Sequence, residues 1–388
     1  MAEIVIIGGS IMGSSIAYHL AMAGHAGDVV VIEPDPAYEW AAAPRSSGGV
    51  RLMHGLPENI EMSRYGQEMY KNFANLMDVD GEPGRFDFLE YGYLSMVAGA
   101  ANVAIIEENC RVQNEQGVPN KLLDAAALAK RFPSFNVEGV DAALHAPGDG
   151  FIDPYAAVIG FRRKAVSLGV EYIRDKVVGF DADKTKVERV ILESGRRLDA
   201  KTVVNVAGAW GPAICEMVGM KVPVEPLQRE TFYFETRASL EDMPLTKDVD
   251  GVSFRKEGAG YTAGFTRKNK PSGFNWEIEP DLFDKIIWPS LANRVPAFES
   301  LKLMRSWCGH YALNRMDGNT IIGPWVGGLE NFYVATGFSG AGLQKGPAIG
   351  RAMTELLLHG EYQTLDLSRM SYQRVIDEEP LIETGFTA

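Results

Sequence analysis

Short apolar runs and helix-period segments alternate from the first residues onward. Ile4-Val5-Ile6-Ile7 ends in the turn Gly8-Gly9-Ser10-Ile11-Met12-Gly13, and Ser14–Leu20 continues with helical spacing. A second run, Val29–Ile32, closes on Glu33. Continuous apolar runs of strand length read as buried parallel strands, so residues 1 to about 35 are predicted to form a strand–helix–strand unit. Residues 37–57 break the pattern, with small residues and glycines beside Arg45, Arg51 and His54. That composition predicts a loop applied closely to a ligand. Helical spacing returns over 58–78, strand patterning over Phe86–Val97, and helix again over 100–131, ending with Ala125–Arg131 before Pro133. The turn Asp153-Pro154-Tyr155 opens a further helix that runs to about Gly169. Hairpin-like runs follow at Lys176–Phe180, Val187–Glu193 and Arg197–Leu198, and then a buried strand, Thr202–Val206, closes on Ala207-Gly208-Ala209-Trp210. Residues 222–265 again read as strands. The chain then returns to its opening style, with the strand Asn331–Thr336, the turn Gly337-Phe338-Ser339-Gly340-Ala341-Gly342 and the helix Gln344–His359.

The opening unit carries the order of a dinucleotide site. The strand delivers the turn, the helix start offers unpaired N–H groups to a pyrophosphate, and an acid on the second strand meets a ribose hydroxyl. The fingerprint asks for glycine at its first, third and sixth positions, and these are Gly8, Ser10 and Gly13. A β-carbon at Ser10 narrows the approach of the phosphates, while its hydroxyl offers them a hydrogen bond. Nucleotide-domain pieces come from the start, middle and end of the chain, with strand-rich segments between. Such interleaving disfavours a simple nicotinamide dehydrogenase, whose binding domain is usually contiguous.

Composition narrows the partners. Asp and Glu outnumber Lys and Arg by 51 to 38, a formal charge of −13, which argues against a nucleic-acid or anionic-membrane surface. An anionic substrate then requires a local cluster of cations. Cys110, Cys215 and Cys308 are widely separated and form neither a zinc pattern nor a disulfide framework. No apolar stretch reaches the length of a membrane span, and no signal-type segment opens the chain. The expectation is a cytoplasmic enzyme of two packed domains without a bound metal.

Taken together, Ile6–Gly13, Glu33, Arg45–Arg51, the Asp153-Pro154 turn, Val203–Trp210 and Gly309–Gly350 resemble the D-amino-acid oxidase superfamily of FAD-dependent oxidoreductases, in its sarcosine oxidase and dimethylglycine dehydrogenase branch. The closing stretch, Ser306–His310 and Tyr311 through Asp317–Pro324 to Ala335–Gly340, is similar to mitochondrial FAD-dependent oxidoreductase domain proteins of complex I assembly. The resemblance implies an α/β protein of two domains: a Rossmann-like FAD-binding domain (1–80, 140–220, 320–388) with an interleaved antiparallel-sheet substrate domain (81–139, 221–319). It places Gly8, Gly9, Ser10, Met12 and Gly13 at the pyrophosphate and Glu33 on the ribose. Arg45, Ser46, Ser47 and Gly48 would lie along the middle of the cofactor, Val177 beside adenine, and Ala207 and Gly208 at its flank. Gly337, Phe338, Ser339, Gly340 and Gly342, before a helix N-terminus, would stabilise negative charge on the reduced flavin.

The same resemblance implies hydride removal from the carbon beside an amine nitrogen, with oxygen or an electron-transfer acceptor reoxidising the flavin. A substrate such as sarcosine, dimethylglycine or iminodiacetate would be held at a cationic end formed by Arg51, His54 and Arg255, with Tyr261 and Tyr311 as aromatic walls. Three departures stand out. Gln344 occupies the place of a carboxylate-binding lysine, with Lys345 one step later and about 100° further round the helix. Thr262 stands where the oxygen-activating lysine is expected. Cys308 lies three residues before Tyr311, one more than in the covalent flavin pattern, which favours FAD held without a covalent bond. Alternatives are a flavin-bound assembly or scaffold protein without amine turnover, and a D-amino-acid dehydrogenase.

Overall fold

The computed structural model describes residues 2–267 and 270–383. Its first sheet is built around the opening run. Ala2–Ile7 pairs in parallel with Val29–Ile32 on one side and with Arg197–Asn205 on the other. Glu171–Ile173 and Phe332–Thr336 extend the set at either side, again parallel. Ile321–Pro324 closes one edge antiparallel, and the hairpin Val177–Ala182 with Val187–Leu192 runs off Arg197–Asn205. Continuous apolar sequence is explained by burial on both faces. Ile4 and Ile6 pack with the helices Ile11–Met22, Pro154–Ser167 and Gly342–His359. Val5 and Ile7 pack with Ile214, Cys215 and the hairpin on the other face.

The second sheet runs, in order, Lys302–Asn314, Val224–Glu235, Gly260–Phe265, Val252–Glu257, Leu245–Lys247, Tyr93–Val97, Ala142–Ala146 and Lys121–Leu123. All its pairings are antiparallel except that of Leu245–Lys247 with Tyr93–Val97. Its core is aromatic, with Phe232, Phe234, Phe254, Tyr261, Phe283 and Phe298 buried together. Ala142–Ala146, inside the expected nucleotide-domain segment 140–220, belongs to this second sheet.

Two predicted elements differ in extent. The continuous strand starts at Tyr93, not Phe86: Leu89 makes only an isolated antiparallel bridge to Phe151, and Gly92 then turns the chain at φ +88°. The helical span 100–131 is interrupted: Ala100–Glu115 ends before Gly117 (φ +74°), and Lys121–Leu123 forms an edge strand. The helix Ala125–Arg131 is then started afresh by Asp124, whose carboxylate accepts the Ala127 N–H at 2.7 Å. Asp153 caps Pro154–Ser167 likewise, accepting from Tyr155 and Ala156 at 2.9 and 3.0 Å. Among the described residues, no helix is long and apolar enough to cross a membrane, and no group of three or more His, Cys, Asp or Glu could hold a metal ion.

Burial sets one pH dependence of the fold. His145, on Ala142–Ala146 with its ring edge-on to Phe132 at 5.5 Å, is pushed down to about 4 by burial and by Arg131 and Lys121. An unfolded chain binds that proton near the ordinary value of about 6.5. Between these values the unfolded state therefore carries more protons, and this group's contribution to stability is lost as pH falls. Urea unfolding of His145→Gln should show a shallower loss of stability from pH 6.5 to 4, by at most about 1.4 kcal/mol per pH unit. Parallel profiles for the two proteins would show that His145 does not titrate on unfolding.

Candidate active site

A cavity of about 740 Å³ is lined by residues from both sheets. At its nucleotide end the helix Ile11–Met22 lies so close to the preceding turn that a Cβ on Gly13 would stand 1.8 Å from the Gly8 carbonyl oxygen. Gly8 itself has φ +101°, and a Cβ there would meet the Val206 carbonyl at 2.8 Å. Ser10 stands just before the helix and lines the cavity. Its Oγ is buried, caps no N–H and has no hydrogen-bond partner, and the first turn contains no acid. An orphaned hydroxyl beside unpaired helix N–H groups fits a pyrophosphate. Glu33 accepts the Gly9 N–H at 2.7 Å and the Asp35 N–H at 2.9 Å, and burial is the leading cause that raises its pKa. Gly9 holds Glu33 from outside the cavity lining, while Met12, Val177, Ala207 and Gly208 complete that end.

Along the middle, Arg45, Ser46 and Ser47 line the cavity. Gly48 stands behind them at φ +70°, where a Cβ would lie 2.2 Å from the Ile152 carbonyl oxygen. Arg45 donates to the Cys308 carbonyl at 2.6 Å and lies over Trp40 and Trp276, at 5.0 and 5.6 Å. Gly309 lines the cavity, but Cys308 does not; its thiol is buried, 3.8 Å from the Asn275 carbonyl.

The closing turn is held by the long strand Lys302–Asn314. Ser339, at φ +48°, donates its N–H to the Ala312 carbonyl at 2.9 Å, and its Oγ accepts the Asn314 N–H at 3.1 Å. Phe338, Ser339, Gly340, Gly342 and Gln344 face the cavity, with Gly337 packed behind against Asn314. The helix begins at Gly342 and includes Pro347, which has no N–H for the Leu343 carbonyl. The Tyr70 hydroxyl donates to that carbonyl instead, at 2.6 Å.

The substrate side departs from expectation at four residues. Tyr261 is stacked on Phe234 in the aromatic core, so it is no cavity wall; strand alternation turns Thr262 inward in its place. Arg255 does reach the cavity, but its guanidinium is committed to Glu257, the Ser47 carbonyl and the Lys256 carbonyl. His54 and Lys345 are buried behind the lining. The His54 ring is pushed down to about 4 by burial, and Lys345, bonded to Asn59 at 2.7 Å, is pushed down to about 8 by the same cause. Arg51, Tyr311 and Gln344 line the cavity. Arg229, absent from the sequence-based set, joins them: its guanidinium lies 5.0 Å from the Tyr311 ring centroid. Buried and without a hydrogen-bond partner are both its Nη1 and the Tyr311 hydroxyl. Arg229 lies in a strand-patterned stretch with no motif to mark it.

The FAD dependent oxidoreductase (DAO) family model matches residues 3–356. The chain belongs to that family. It is 37% identical to FAD-dependent oxidoreductase domain-containing protein 1 of Xenopus laevis, over 98% of this chain and 84% of that protein. Mitochondrial dimethylglycine dehydrogenase of Homo sapiens is 26% identical over 93% of this chain, which spans 43% of that relative. In structure it resembles L-proline dehydrogenase from P.horikoshii, with a TM-score of 0.89, 26% identity, and coverage of 98% of this chain and 99% of that one. As a DAO-family protein it is an FAD-dependent oxidoreductase, an enzyme with the two-domain fold of the family.

The glycine contacts and the Ser10 hydroxyl yield separate tests of the FAD seat. Gly13→Val must open the turn, and purified protein should lose its yellow colour. Ser10→Ala removes no bond within the protein, so its thermal stability without cofactor should be unchanged while FAD affinity falls by about 1.5–3 kcal/mol, the scale of a hydrogen bond to a charged group. Unaltered FAD affinity in both variants, measured by flavin fluorescence, would place the pyrophosphate elsewhere.

Proposed function

We propose that the enzyme oxidises the C–N bond of a secondary or tertiary N-substituted amino acid, of the sarcosine, dimethylglycine or iminodiacetate kind. The Arg229–Tyr311 pair carries this reading. A guanidinium nitrogen and a phenol, buried side by side and neither bonded elsewhere in the protein, are matched by one carboxylate. Burial raises the Tyr311 pKa, so the phenol stays protonated and donates. Arg51, on another stretch of the wall, supplies a second cation, which suits a substrate with two carboxylates.

Positive charge at this end has a second effect, because it disfavours the ammonium form of the bound amine and leaves the nitrogen lone pair free. FAD supplies the two-electron acceptor for the hydride leaving the adjacent carbon. The lone pair forms the C=N bond as the C–H bond breaks, and water then splits the imine into an amine and an aldehyde or glyoxylate. Thr262 presents a neutral hydroxyl to the cavity, which supports an electron-transfer acceptor over oxygen. The position of Cys308 outside the lining supports FAD held without a covalent bond. The relatives named as dimethylglycine dehydrogenase and L-proline dehydrogenase agree with an amino-acid substrate.

Anaerobic mixing with sarcosine, dimethylglycine and iminodiacetate should bleach the flavin with at least one of them. No bleaching by any N-substituted amino acid would favour the assembly or scaffold reading. Arg229→Met should weaken the carboxylated amine by about 1.5–3 kcal/mol, with little effect on the corresponding amide. Arg255→Met, which removes a charge already held by Glu257, should not discriminate between acid and amide. Equal losses for acid and amide in Arg229→Met would remove the basis for the carboxylate seat.

A further inference from the structure

Behind the cavity wall a chain of side chains leads from Gln344 to a distant part of the sequence. The Arg51 backbone N–H, an unambiguous donor, points to the Gln344 Oε1 at 3.1 Å. The other amide atom of Gln344 is therefore its Nε2, which faces the His54 Nε2 at 2.7 Å. Because Gln344 Nε2 can only donate, the His54 Nε2 accepts, as it also does from the Ser63 hydroxyl at 3.1 Å. The ring proton of the neutral imidazole is left on Nδ1, which makes no hydrogen bond of good geometry and faces the Glu383 Oε1 at 3.4 Å, where the carboxylate's charge favours that proton.

Glu383 is itself firmly placed. Its Oε1 accepts the Gly55 and Leu56 N–H groups at 2.6 and 3.3 Å, and its Oε2 accepts from Asn59 at 2.9 Å. Two residues earlier, Leu381 is pinned through its N–H to Asp317 at 3.0 Å and through its carbonyl to Asn319 at 2.7 Å. We propose that Glu383 is a positioning residue of the active site: its carboxylate fixes His54 in the Nδ1–H tautomer, and His54 in turn holds the Gln344 amide at the cavity wall. Other charges facing His54 are Arg51 and Lys345, which together with burial oppose a second proton on the ring. With that proton absent, His54 keeps an acceptor for Gln344 across the neutral range. The consequence for substrate rests on the proposed amine oxidation, whereas the tautomer does not.

Holoprotein labelled with [15N]histidine, with the His54 signals assigned by their loss in His54→Asn, reads the tautomer directly. Long-range 1H–15N correlation should show a neutral Nδ1–H ring from pH 8 to about pH 5. Glu383→Gln, whose amide oxygen still accepts, should keep that pattern, and Glu383→Ala should lose it. In anaerobic stopped flow with the amine that bleaches the flavin, Glu383→Ala should lower the limiting reduction rate at least threefold with FAD still bound, and Glu383→Gln should recover most of it. An Nε2–H ring in the unaltered protein, unchanged ring signals in Glu383→Ala, or an unchanged reduction rate in that variant would each overturn the proposal. If no amine bleaches the flavin, the proposed function fails, and the ring signals alone still decide the tautomer.

Discussion

The close approach of one helix to one turn governs the architecture. Gly13 stands against the Gly8 carbonyl, Gly8 against Val206, and Gly9 against the Glu33 side chain. Three parallel strands therefore end at the same edge, with the first N–H groups of Ile11–Met22 turned towards the space beyond them. Ligands bind at that carboxyl edge of open parallel sheets because strand ends, glycine turns and helix N-termini converge there. Burial of the inner strands on both faces keeps the edge rigid, and Glu33 spends its carboxylate on the Gly9 and Asp35 N–H groups to hold the turn.

The second sheet completes the cavity by gripping the closing turn. Ser339 takes a left-handed conformation that a non-glycine residue rarely adopts, and the backbone of Ala312 and Asn314 supplies the bonds that hold it. One strand thereby carries Gly309 and Tyr311 on the cavity and fixes the turn that faces them. The Tyr70–Leu343 bond performs a similar task where Pro347 removes a donor. Cofactor and substrate ends are positioned by the same few connections between the two sheets.

Charge is distributed with the same economy. Against a net charge of −13, the cavity lining includes the cations Arg51, Arg229 and Arg255, with Lys345 buried behind it. Arg255 is paired with Glu257, and Lys345 has the Asn59 side-chain Oδ1 and the field of Glu383. Cations matched in this way stabilise the walls; Arg229, whose Nη1 is buried without an acceptor, can bind an anion.

Sequence alone determined the opening unit, the glycine turns and the family, because each depends on local spacing: apolar runs of strand length, a turn between strand and helix, an acid at the end of the second strand. Helix pitch separated Gln344 from Lys345 by about 100°, but only the packed structure shows that Gln344 lines the cavity and that Lys345, a candidate site residue, is buried behind it. Tertiary structure decided which cations are available. Tyr261 and Thr262 are neighbours in a strand of period two, and only pairing with Val224–Glu235 and packing on Phe234 show which one faces the cavity. Arg229 gains its meaning from Tyr311, 82 residues later, and His54 from Glu383, more than 300 residues away. Such partnerships are made by the docking of the sheets and of the final segment, and no periodicity along the chain records them.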